Sequence, residues 1–174
     1  MIFVGFVLLA LKVFNSYALQ LLGLLGYLLI GIGLCKTGES KETRTAALGA
    51  FGLFILTGYE FIKVQIVEPS MLHIAIAIIQ MMLFLVLNWL LIYNMFEDIS
   101  NTFKAKKMLN DANTCQRNKK KFMSILLYSV LCQNGAIMFP KLGAIIFIIG
   151  VILAIYLSIK EVLYIHRVSL LMIN

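Results

Sequence analysis

The sequence predicts an all-α, polytopic integral membrane bundle of about five transmembrane helices, and three observations carry that prediction. Hydrophobic residues form 61% of the 174 residues and charged residues only 13%, against about 45–50% and 25% in soluble domains. A globule of this size does not hide so much apolar surface from water. Apolar runs of about 20 residues, the length that crosses a hydrocarbon core of about 30 Å, recur five times. Twelve of the fifteen basic residues stand in the polar segments between or after those runs, the pattern of a cytoplasmic membrane face.

The spans are expected at residues 13–35, 45–67, 71–96, 122–138 and 142–159 of a single domain, 1–174. None shows the alternation of polar and apolar residues that a lipid-facing strand needs, so helices are the expected form. Before the first span, residues 1–12 are apolar without a turn signal. Lys12, Asn15, Ser16 and Gln20 interrupt the stretch, so residues 1–11 are expected at the outer interface or as a tilted extension, with re-entry into the membrane, which would change the number of spans, as the alternative. No positive segment precedes them, which argues against a cleavable signal peptide.

The links alternate in character. Residues 36–44 and 97–121 are polar and basic, while 68–70 and 139–141 are short turns holding the two prolines, Pro69 and Pro140. The charge asymmetry predicts the amino terminus outside and the carboxyl terminus inside. Residues 97–121 form the long cytoplasmic basic loop, with the third helix running a few turns past the membrane before Asn110, Asp111 and Asn113 break it. Lys outnumbers Arg twelve to three, a bias of AT-rich genomes, and the expected location is a bacterial plasma membrane or an organellar inner membrane.

The net charge of +7 does not imply nucleic acid, because the cations sort by membrane side. Gly33 to Ser40 comes within one residue of a phosphate-binding loop, but Glu39 stands in the lysine slot and no strand precedes it. The segment reads instead as a helix end at Gly38. His73 and His166 fall at opposite ends of the expected bundle, so no metal site and no cofactor follow. Cys35 and His166 share the cytoplasmic side, but no third group orients them as a catalytic dyad.

Polar residues inside the spans are the candidates for function. Glu60 and Lys63 lie on neighbouring faces of the second span, where an ion pair near the interface competes with a proton or cation site. On the third span His73 and Gln80 share one direction, with Asn88 and Asn94 about 60° to either side, so a polar stripe runs along one face. Gln133 and Asn134 on the fourth span are placed to meet it. Interhelical hydrogen bonding and a polar path both account for the stripe.

Small residues recur at packing intervals: Ala46 and Ala50 on the second span, and Gly150, Ala154 and Ser158 on the fifth. Lys119, Lys120 and Lys121 anchor orientation or bind anionic lipid. The expected role is a non-catalytic subunit of a larger transport, export or respiratory assembly, in contact with lipid and with other subunits or copies of itself. A small proton- or ion-coupled transporter is the alternative, and an intramembrane enzyme acting on lipid or peptide comes last.

Overall fold

The described residues form six helices: α1 Ile2–Leu11, α2 Tyr17–Thr37, α3 Lys41–Lys63, α4 Met71–Ala105, α5 Leu109–Met138 and α6 Gly143–Ile173. The computed structural model describes residues 1–11, 17–38, 40–63, 71–138 and 142–173. Each helix packs against its neighbour in the chain, and α6 closes on α1. The result is a closed up-and-down ring, with the α2–α3 and α4–α5 links and the last turns of α6 at one basic end.

Short-range chemistry sets the links. Ser40 caps α3: its hydroxyl accepts from the Thr43 amide at 3.0 Å and donates to Asp98 of α4 at 2.6 Å, tying the α2–α3 link to a third helix. Gly38 follows the end of α2, and a Cβ there would collide with the Thr43 side chain, so only glycine lets α3 start this close. The α4–α5 link is a Schellman turn. The Met108 amide donates to Phe103 at 2.9 Å and the Lys107 amide to Lys104 at 3.0 Å, with Lys107 in the left-handed region at φ 61°.

This turn changes the expected picture of residues 97–121. They are not a loop: α4 runs to Ala105, α5 begins at Leu109, and Asn110, Asp111 and Asn113 sit in the first turns of α5 rather than breaking a helix. Asp111 there faces the positive end of the helix dipole. Phe103, Ala112 and Cys115 are buried against one another's helices and make the stem a packed hairpin.

The first residues depart further from expectation. Residues 1–11 neither protrude nor extend the first span. Met1 and Ile2 lie against Gly33, Gly5 against Gly26 and Ile30, and Leu9 against Gly26, so α1 runs antiparallel to α2. Phe3 meets His166 of α6 at 5.3 Å between ring centroids. Met1 therefore lies at the basic end beside the last turns of α6, and the opposed placement of the two ends is corrected. The cause is the glycine contact: with no Cβ at Gly5 or Gly26, the two backbones approach closely enough for a short helix to seat.

Large side chains fill the ring. Ile30, Leu53, Leu91, Phe96 and Phe103 are fully buried. The outward faces carry Leu48 at 71% exposure, Ile55 at 69% and Ile79 at 66%, so the bundle presents apolar surface in both directions. Among the described residues two stretches are long and apolar enough to cross a membrane, Ile78–Ala105 of α4 and Ile148–Val168 of α6, and most of each lies on the surface of the bundle.

Candidate functional site

A polar and aromatic cluster lies at the basic end, where α4, α5 and α6 meet. The α4–α5 hairpin turns at 106–108, so residues at equal distance from that turn face each other. Glu97 of α4 thus accepts from Gln116 of α5 at 3.0 Å and from Lys119 one turn further on. These two donors hold the Glu97 carboxyl below its ordinary range, Lys119 contributing most. Lys119 is nearly buried, and its ammonium also lies 4.1 Å from the Tyr93 ring centroid.

Beside the ion pair is an apolar layer. Phe96 stacks on Tyr164 at 5.1 Å, with Phe122 against both at 5.2 and 6.3 Å. The Cys115 thiol donates to the Phe96 carbonyl at 3.3 Å. Burial pushes this thiol up from its ordinary value, so it stays protonated and inert at neutral pH.

On α6, residues 157, 161, 165 and 168 form the buried face. Three are Leu, Ile and Val, and the fourth is Glu161. It is 9% exposed, and its Oε1 has no hydrogen-bond partner among the described residues. Thr57 and Ser100 are buried hydroxyls in the same condition. The sequence did not single out Glu161, because Lys160 precedes it and the pair reads as the polar end of a span; the packing of α6 on its neighbours turns it inward.

The residues singled out from sequence fall as follows. Glu60, Lys63, His73, Gln133 and Asn134 lie outside the residues whose side chains are described. Gln80 is half-buried on α4. Asn88 is buried and donates to Phe84 at 2.9 Å, while Asn94 donates to Leu90 at 2.7 Å, each to its own helix one turn back. Ala46 and Ala50 are buried in α3, beside Gly49, which lies against the Leu87–Leu91 backbone of α4. Gly150 accepts from the Ser129 hydroxyl of α5 at 3.0 Å, with Ala154 and Ser158 half-buried along the same row. Lys120 and Lys121 are exposed, and Lys119 is bound to Glu97. No cluster of His, Cys, Asp or Glu able to hold a metal occurs among the described residues.

Comparison with family models, with curated proteins and with solved structures finds no match.

Proposed function

We propose that the chain is a multi-pass integral membrane protein in which α2–α6 cross the bilayer, and that it acts as a non-catalytic subunit of a membrane assembly. One observation carries this reading: the outward faces of the ring are apolar, while the links bearing the cations gather at one end. Positive-inside logic then assigns the basic end to the cytoplasmic or matrix side, with Met1 beside it. α1, at about 15 Å, reaches only halfway through the hydrocarbon core and packs on α2.

Among the described residues large side chains pack the interior at the basic end, which favours a role exerted through the surface there. Ala46, Ala50 and Gly150 are used within the ring, so the partner-facing surface is the exposed side of α4 around Trp89 and Tyr93 and the half-open row at Ala154 and Ser158. Mild detergent extraction with crosslinking tests this. A second protein held in stoichiometric amount is expected, and it should be lost in Ala154→Leu. A monodisperse single chain under the same conditions contradicts the subunit role.

A second reading rests on Glu161. A carboxyl kept inside an apolar ring, its Oε1 without a partner among the described residues, is costly, and such groups mark proton or cation handling. In that reading reconstituted protein carries a pH-dependent flux that Glu161→Gln abolishes. Absence of flux in the wild type removes it.

A further inference from the structure

Beside the α2–α3 link a groove of about 430 Å³ opens on the surface, within the size range of small-ligand sites. Its walls are Leu34 and Cys35 at the end of α2 and Ala47, Leu48 and Phe51 on α3. Arg44 also lines it. Positions 44, 47, 48 and 51 follow helical spacing, so one face of α3 presents a guanidinium and then, one and two turns deeper, an apolar stripe. Phe51 reaches α2 because Gly31 leaves room: a Cβ there would lie 2.9 Å from the Phe51 ring. Ser40, just before α3, is tied to Asp98 of α4 by a hydrogen bond.

The charges are arranged to match an anion at the mouth. Arg44 is exposed and makes no ion pair among the described residues. Lys36 and Lys41 are exposed on either side of the link, Glu42 is half-buried in the same turn, and Glu39 of the link lies outside the described residues, so the segment from Lys36 to Arg44 carries three basic and two acidic residues. Arginine suits a phosphate because its planar fork donates two parallel hydrogen bonds. Lys119, in the basic run otherwise expected to meet lipid, is bound by Glu97.

We propose that this groove is a binding site for an anionic phospholipid, with one acyl chain along Leu34, Leu48 and Phe51 and the phosphate on Arg44. The inference rests on the membrane reading above, which supplies the ligand and the depth: Arg44 at headgroup level and Phe51 inside the acyl region. It assigns a specific lipid contact to the α2–α3 edge of the ring rather than to the α5 lysines.

Cys35 lies in the groove wall and is exposed, whereas Cys115 is buried, so the site carries its own reporter. The test measures maleimide modification of Cys35 by peptide mapping, on protein in neutral detergent, with added short-chain phosphatidylglycerol, phosphatidylcholine or inorganic phosphate. Phosphatidylglycerol is expected to slow Cys35 selectively. Arg44→Gln should weaken that protection about fivefold, the worth of one basic contact to an anionic lipid, and Arg44→Lys should keep most of it. Leu48→Glu, at an exposed position, should weaken protection by placing a carboxylate on the acyl path.

Equal protection by phosphatidylcholine, equal protection by phosphate alone, or wild-type protection in both Arg44→Gln and Leu48→Glu overturns the proposal. Resistance of the protein to alkaline extraction reads membrane residence separately. Protein that stays in the membrane but lacks lipid-selective protection defeats this inference alone.

Discussion

At the scale of single residues, two side chains define what the basic end tolerates. Glu97 binds a nearly buried ammonium, so its carboxylate form is favoured by folding. A depressed folded-state pKa stabilises the protein above the unfolded value of 4.5, and that contribution is lost as pH falls below it. Glu97→Gln leaves Lys119 without its counter-charge and should cost about 2 kcal/mol at neutral pH, less than a fully buried pair because Glu97 is partly exposed. Thermal unfolding in detergent should show the variant nearer to wild type at pH 4 than at pH 7, as the wild type loses its advantage through the acid range. Lys107 makes the opposite case. It holds a left-handed conformation that suits glycine, so Lys107→Gly should raise stability by about 1 kcal/mol, read from the same melts.

At the scale of elements, the ring depends on glycines that bring backbones together. A Cβ on Gly49 would stand 3.1 Å from both the Leu87 carbonyl oxygen and the Leu91 nitrogen, backbone atoms that cannot swing aside. Gly49→Leu should therefore separate α3 from α4 and cost at least about 3 kcal/mol. Leu48→Ala, one position away and facing outward, should stay within about 0.5 kcal/mol. Unfolding of the two variants under one detergent condition checks the contrast. The helical character of α2–α6 was legible in the sequence, because long apolar runs without strand-like alternation leave little choice of secondary structure. The hairpin of α1 on α2 was not, since residues 1–35 carry no turn signal strong enough to separate two apolar helices. The stem of α4 and α5 was missed for a different reason: Lys, Asn and Asp read as loop, yet the residues that pack it, Phe103, Ala112 and Cys115, are too few to show as a periodic run.

The same limits apply to the candidate site. The Glu97–Lys119 pair joins residues 22 apart, and it becomes visible only once the turn at 106–108 sets the register of the hairpin. Glu161 needed the opposite information, the position of α6 against its neighbours, because its own surroundings in sequence are those of a solvated helix end. The α2–α3 groove depends on both a helix stop at Gly38 and a cap at Ser40, neither of which specifies a cavity by itself.

At the scale of the whole molecule, the proposed topology is an up-and-down ring that would cross the bilayer with its basic end, Met1 included, on the inner side. Impermeant thiol labelling of intact cells tests it most directly, using single cysteines in place of Ser40, Asn113 and Leu142 in a background without native cysteines, and a tag fused ahead of Met1. Ser40, Asn113 and the tag lie with the basic end, while Leu142 lies at the far end beside the start of α6. The account predicts that only the Leu142 cysteine is labelled before permeabilisation, and that the tag is protected from added protease. Labelling of Asn113 and Leu142 from the same side would contradict it.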